Sequence, residues 1–197
     1  MTLDLARIQV KILSNAAVDI SLDPFLEIFN RWRKEKHPLE WVDLADYAHV
    51  PKGPGIVLIG NRGNLSFDLG DPAPGILYAA KKGLTGTHRE RLQSAFITGM
   101  ELSSRLSMEN NFPREVRLQT SALELRFNDR LATANSEATD IEIRPAIVDT
   151  LNALMGTGNY RMKSMPDPRS SYGWSVRANH ESSLESLIQR LGTLSAK

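Results

Sequence analysis

Residues 41–82 have the sequence WVDLADYAHVPKGPGIVLIGNRGNLSFDLGDPAPGILYAAKK, in which short apolar runs alternate with glycine-rich and proline-rich turns. Trp41 to Ala45 predicts a short strand, and the continuous apolar run 56–59 predicts a central strand covered on both faces. Gly60 to Asn64 is typical of a hairpin turn, because glycine and asparagine tolerate positive φ. Residues 65–69 then alternate as a return strand, and a second turn at 70–75 leads into a strand at 76–78. The stretch therefore predicts an antiparallel meander.

The N-terminal part of the chain predicts a strand and a helix before this meander. Apolar and polar residues alternate over 7–12, which is the pattern of a strand with one buried face. Asp23-Pro24 supplies a cap and a first-turn proline for a helix extending to about Lys36. After the meander, Thr87 and Glu90 form a capping box for a long helix that ends near Asn110.

The C-terminal part predicts further strands and two helices. Alternation over 116–120 and 123–127 predicts two strands, and Asn128-Asp129 predicts a tight hairpin into a strand at 131–133. Because proline disfavours a helix interior, we expect a short turn over 136–143 and a helix from Pro145 to Met155. Residues 160–164 and 172–178 predict two strands around a loop at 166–169, and residues 184–191 predict a final helix stopped by Gly192.

This order of elements lacks the strict alternation of strand and helix that builds a doubly wound parallel sheet. We therefore predict an α+β fold with a mainly antiparallel, mixed sheet and helices packed on one face. The chain is expected to form a single compact domain over 1–197, which could divide into two similar α+β halves, 1–112 and 113–197.

Composition excludes several classes of function. The 24 Lys and Arg residues nearly balance the 23 Asp and Glu residues, so a formal net charge of +1 provides no global field for a polyanion or an acidic membrane. The chain contains no cysteine, which excludes disulfides, thiolate nucleophiles and cysteine-ligated metals. The N-terminus lacks the pattern of a secretory signal or a transit peptide, and no window approaches a membrane span. A cytoplasmic location is the expectation.

Two segments carry a resemblance to a known family, DLADYAHVPKGPGIVLIG at 43–60 and ELRFNDRLATAN at 124–135. They resemble a family of uncharacterised bacterial proteins of similar length, over most of the chain. The resemblance implies a bacterial cytoplasmic protein. It implies no activity, cofactor or catalytic residue.

A first group of candidate site residues lies around the meander, where carboxylates, an imidazole and a guanidinium occur close together in sequence. A carboxylate can orient an imidazole for general base catalysis, and both can bind a metal. The spacing matches no catalytic or metal-binding motif, and such side chains more often cap loop amides. The candidate pocket residues are Asp43, Asp46, His49, Asn61 and Arg62.

A second group lies in the predicted C-terminal hairpin, where aromatic and basic residues interleave. This composition suits a single-stranded nucleic-acid platform, yet the alternation is equally that of a half-buried hairpin. The low net charge and the lack of an RNA-binding motif disfavour nucleic acid. The candidate interaction surface comprises Tyr160, Arg161, Lys163, Arg169, Tyr172, Trp174 and Arg177.

Two functional hypotheses follow from the sequence. The first is a non-enzymatic binding or assembly protein that contacts a protein partner or a second copy of itself, without a cofactor or metal. The alternative is a small-molecule-binding protein or enzyme with a pocket near residues 43–62, in which His49 acts as base or ligand and Arg62 contacts an anion. Binding to nucleic acid or to a membrane surface is disfavoured.

Overall fold

The computed structural model describes residues 3–165 and 170–193. Within these residues the chain forms eight strands and four helices. In chain order they are β1 (Ile8–Ser14), α1 (Asp23–Trp32), β2 (Trp41–Tyr47), β3 (Gly55–Gly60), β4 (Gly63–Asp68), β5 (Gly75–Ala80), α2 (His88–Ser107), β6 (Leu118–Phe127), α3 (Glu137–Met155), β7 (Tyr160–Ser164), β8 (Tyr172–Ala178) and α4 (Leu184–Gly192).

The eight strands form one sheet in the order β2-β3-β4-β5-β1-β6-β8-β7, and every pairing is antiparallel. The meander β2 to β5 forms one side of the sheet, and β6, β8 and β7 form the other. β1 lies between them and pairs with both β5 and β6. The predicted α+β fold with an antiparallel sheet is confirmed.

Side-chain alternation gives the sheet two different faces. Val10 and Ile12 of β1 belong to the hydrophobic core, and Lys11 between them points to the opposite side. We call the core side the helix face and the other side the open face. The strand registers place the following side chains on the open face: Gln9, Lys11, Leu13, Ala45, Val57, Ser66, Leu77, Ala79, Glu124, Arg126, Arg161, Lys163, Ser175 and Arg177.

The four helices of the described chain pack on the helix face. The ring of Phe25 in α1 stacks on Phe67 of β4 with centroids 3.9 Å apart, and burial of such a ring contributes about 1.5–3 kcal/mol. Gly99 lets α2 approach β5 closely, since a Cβ there would lie 3.3 Å from the Cβ of Tyr78. No helix in the described part of the chain is both long and apolar enough to cross a membrane.

Helix α3 differs from the sequence prediction, which placed a turn over 136–143 and started the helix at Pro145. The structure has one helix from Glu137 to Met155 with Pro145 inside it. Ser136 caps its N-terminus by accepting a hydrogen bond from the Thr139 amide. A buried stripe continues through the proline, so tertiary packing outweighs the loss of one helical hydrogen bond. That stripe comprises Thr139, Ile143, Ile147, Thr150, Leu151 and Leu154.

Three strand predictions are also corrected. The two strands predicted over 116–120 and 123–127 form the single strand β6. Its pairing with β1 contains a register shift, since Ile12 pairs with Leu123 but Ser14 pairs with Leu118. This irregularity coincides with the change in the alternation of apolar residues. The strand predicted at 131–133 is a turn, in which the amides of 131 and 132 donate to the carboxylate of Asp129. The run 56–59 is β3, which lies second from the sheet edge and not at its centre. Its residues 56–58 are buried on both faces as predicted, since Val57 on the open face is only 8% exposed.

Candidate interaction surface

The five candidate pocket residues are spread along β2, with Asp43 and Asp46 inside the strand and the other three beside its two ends. Trp41 of β2 pairs with Gly60 and Tyr47 pairs with Gly55. Asn61 and Arg62 therefore lie at the start of β2, whereas His49 follows its end. At about 3.3 Å per residue, the six-residue step from Trp41 to Tyr47 separates the two ends of β2 by about 20 Å. The structure does not bring these five side chains into one pocket.

Four of these side chains have local partners instead. The carboxylate of Asp43 accepts from the amide of the next residue at 2.8 Å, and that of Asp46 accepts from the Ala48 amide at 2.8 Å. Asn61 and Arg62 both donate to the carboxylate of Glu40, at 3.1 and 3.0 Å. The Asp43 contact lies within β2, next to its register shift. The other contacts stabilise loop segments, which is the common use of such residues.

The aromatic members of the C-terminal set lie on the helix face. Tyr172 is 2% exposed, and its hydroxyl donates to Asp140 at 2.8 Å and accepts from the indole of Trp174 at 3.1 Å. Burial raises the pKa of the Tyr172 hydroxyl, so it stays protonated. The Tyr160 hydroxyl donates to Asn152 in α3 at 3.0 Å. These rings are packing elements and are not presented for base stacking.

The basic members lie on the other side of the sheet. Arg161 of β7 is directly opposite Arg177 of β8, and Lys163 is opposite Ser175. All three cations are exposed, and none forms a hydrogen bond or ion pair with another residue in 3–165 or 170–193. We call Arg161, Lys163 and Arg177 the basic corner. Arg169, the remaining predicted member, lies outside the described residues.

The acidic group closest to the basic corner in the strand register accepts hydrogen bonds from other residues. Glu124 of β6 is opposite Ser175 in the register, and its side chain is only 3% exposed. It accepts from Arg126 at 2.6 Å and from the Ser175 hydroxyl at 3.4 Å. Glu124 therefore has its partners within the sheet and does not form an ion pair with the basic corner.

One side of the β7 backbone has no neighbouring strand in the part of the chain that the structure describes. The Asn179 amide donates to the Asn159 carbonyl at 2.8 Å, and the Met165 amide donates to the Gly173 carbonyl at 3.0 Å. Hydrogen-bonded pairs alternate along an antiparallel ladder, so the odd-numbered residues of β7 direct their backbone groups to β8. The amides and carbonyls of Tyr160, Met162 and Ser164 point away from the sheet, and none bonds to a described residue. β7 is thus an open edge.

A buried ion pair lies near the middle of the open face. Lys11, with a side chain only 2% exposed, pairs with the carboxylate of Asp68 and donates to the Gly70 carbonyl at 2.7 Å. Arg126 donates to the Asp71 carbonyl at 2.9 Å. These contacts fix the β4–β5 connection against the sheet. The alternation of β1 predicts that Lys11 faces away from the core, but no local pattern predicts a partner 57 residues away.

A groove of about 560 Å³ lies between the N-terminal segment, the start of α2 and α3. Its polar groups bind one another: the His88 Nε2 lies 2.7 Å from the Leu3 carbonyl oxygen, and Arg91 pairs with Asp4. The Leu3 amide donates to Glu142 at 2.6 Å. These contacts hold the N-terminal segment against the two helices. Among the described residues, no three His, Asp or Glu side chains are grouped so that they could hold a metal ion.

Comparisons of the chain with protein-family models, with curated proteins and with solved structures gave no match. The basic corner and the adjoining edge of β7 are the features from which a function can be argued. Within residues 3–165 and 170–193, they combine exposed cations that have no anionic partner and backbone groups that form no hydrogen bond.

Proposed function

We propose that this protein is a non-enzymatic binding protein that contacts an acidic protein partner through the basic corner. The observation that supports this proposal is the placement of Arg161 directly opposite Arg177, beside Lys163, with no anionic partner among the described residues. Three cations concentrated on two paired strands favour a ligand that carries carboxylates.

The arrangement has a cost in the free protein. Like charges directly opposite each other in an antiparallel pair destabilise the sheet by a few tenths of a kcal/mol to about 1 kcal/mol. Burial and packing do not offset this repulsion, because both side chains are exposed. A partner that carries carboxylates would be attracted by both arginines and would offset their mutual repulsion. Binding such a partner would therefore explain why the two arginines lie opposite each other.

A protein partner suits the surface better than nucleic acid. Proteins that bind single-stranded DNA or RNA combine cations with aromatic rings on the same surface. Here Tyr172 and Trp174 face the helices, whereas Arg161, Lys163 and Arg177 are on the open face. The formal net charge of +1 also provides no wider positive field for a polyanion.

Site-specific photo-cross-linking tests the proposal. A photo-reactive residue in place of Ser175, between the basic side chains on the open face, should cross-link an acidic protein in a lysate of the organism that encodes the chain. The matched control carries the same group in place of Val42, which is 52% exposed on β2 at the opposite edge of the sheet. The control should not capture that protein.

Charge reversal completes the test. The double substitution R161E/R177E should abolish the cross-link from position 175 without lowering the thermal unfolding temperature. A cross-link that survives charge reversal, that appears equally from position 42, or that is absent from both positions contradicts the proposed function.

A further inference from the structure

We infer that the partner is an extended acidic segment that pairs with β7 as an additional strand, with carboxylate side chains opposite Arg161 and Lys163. This inference rests on the proposed function and specifies its ligand. It depends on a second feature, the edge of β7, whose outward backbone groups bond to no described residue. The proposed function needs only the charges of the basic corner and not this edge.

The backbone of β7 is suited to strand addition. Tyr160, Met162 and Ser164 offer three amides and three carbonyls at the regular spacing of a strand, and the β7–β8 pairing contains no register shift. The other sheet edge, β2, has a register shift between Trp41 and Asp43. Such irregularities protect an edge from further pairing, so β7 is the more regular acceptor.

The register of β7 determines the side-chain pattern of the segment. Residues opposite Tyr160, Met162 and Ser164 would exchange backbone hydrogen bonds and project to the helix-face side of the sheet. Tyr160 and Met162 pack against the core there, so apolar partner residues fit. The alternate residues would lie opposite Arg161 and Lys163, with Cβ atoms about 4.5–5.5 Å apart, where opposite charges stabilise a strand pair.

A second copy of β7 is a poor occupant of this edge. Exposed lysine and arginine on an edge strand repel an identical strand, a common protection against aggregation. Two copies of β7 would place four cations of Arg161 and Lys163 together on one face. The same charges attract a strand that carries acidic residues at alternate positions, so an acidic segment is the occupant that fits.

A defined peptide tests this arrangement. The probe is a fluorescent, N-acetylated peptide in which glutamate and valine alternate, Glu-Val-Glu-Val-Glu-Val-Glu, and its binding is followed by fluorescence anisotropy at low and at physiological ionic strength. A peptide of the same composition with the valines in one block is the first control. The alternating peptide should bind roughly tenfold more tightly than the block peptide.

Backbone methylation separates strand addition from simple charge attraction. Methylation of the valine amides removes the donors that would face β7, whereas methylation of the glutamate amides changes groups that would point away. The first peptide should lose binding by roughly tenfold or more, and the second should retain it. On the protein, Ser164→Pro removes an outward amide and should weaken binding, while Ser164→Ala keeps that amide and should not.

The outcomes distinguish the two proposals. If both methylated peptides bind equally and R161E/K163E abolishes their binding, the strand-addition inference is wrong and the proposed function stands. If charge reversal has no effect, both are wrong. Failure of the unmodified alternating peptide to bind overturns the inference, and tighter binding of a thymidine oligonucleotide than of the peptide overturns both.

Discussion

Arg161 of β7 and Arg177 of β8 lie directly opposite each other on the open face of the sheet. Other charged residues in the registers of this face lie opposite an uncharged residue or one of opposite charge, as Lys11 lies opposite Glu124 and Glu124 opposite Ser175. The arginine pair is therefore a local departure from the arrangement of charges on this face.

Replacement of Arg161 by threonine should stabilise the protein. Threonine suits an exposed strand position, and the substitution removes the repulsion of Arg177. We expect the free energy of unfolding, measured by urea denaturation at low ionic strength, to rise by about 0.2–1 kcal/mol. Lys163→Thr is the matched control, because Lys163 is opposite an uncharged serine. An equal gain from the control would show that charge repulsion is not the cause.

Removing the cation of the buried Lys11–Asp68 pair should destabilise the protein, whereas removing the cation of Arg161 should stabilise it. Lys11→Ala leaves the partly buried carboxylate of Asp68 without its cation, so we expect a loss of about 3–5 kcal/mol in the free energy of unfolding. Lys52→Ala breaks an ion pair with Asp71 whose side chains are 65% and 74% exposed, and should cost at most about 1 kcal/mol. Similar losses from both substitutions would contradict a structural role for the buried pair.

Local patterns in the sequence were sufficient to predict most strands and the fold class. The meander of β2 to β5 follows from its turns, and the positive φ of 61° at Gly55 explains why glycine begins β3. The central position of β1 could not be predicted, because it depends on pairing with both β5 and β6, which are distant in sequence. Strand order is a consequence of long-range packing that hairpin signals do not contain.

The candidate sites could be predicted only in part. The alternation of β7 and β8 separates Arg161 and Lys163 from Tyr160, since successive strand residues point to opposite faces. That separation was implicit in the sequence once the strand boundaries were known. Asp46 and Arg62 are close in sequence, but the geometry of β2 and β3 places them at opposite ends of a strand pair.

The proline inside α3 provides a third stability prediction. Pro145 cannot donate to the carbonyl of Ile141, a residue that is 70% exposed on the solvent side of the helix. Pro145→Ala restores that donor and should raise the free energy of unfolding by about 1–3 kcal/mol, since an interior proline costs about 3 kcal/mol and the gain is reduced by the entropy of the unfolded chain. The check is urea denaturation followed by circular dichroism.

A decrease in stability on Pro145→Ala would instead show that the ring contributes packing beside Leu3 in the groove between the N-terminal segment and α3. Leu3→Ala in both backgrounds distinguishes these explanations. If the ring packs against Leu3, the two substitutions should not be additive.

His37 makes the stability of the protein depend on pH. Burial lowers its pKa below the ordinary value of 6.5, and the nearby Arg105 lowers it further. The imidazole stacks on Trp41 with ring centroids 4.9 Å apart, and its Nδ1 accepts a hydrogen bond from the Leu39 amide at 3.2 Å, which requires an unprotonated nitrogen. The folded protein therefore favours the neutral form of His37.

The sign of the pH effect follows from proton binding. Between the lowered pKa of the folded state and 6.5, the unfolded chain binds more protons at this position than the folded protein, so the contribution is present above pH 6.5 and is lost as pH falls. Urea denaturation from pH 7.5 down to pH 5 should show a steeper loss of stability for the unmodified protein than for His37→Gln. Equal slopes for the unmodified protein and His37→Gln would exclude His37 as the source of the pH dependence.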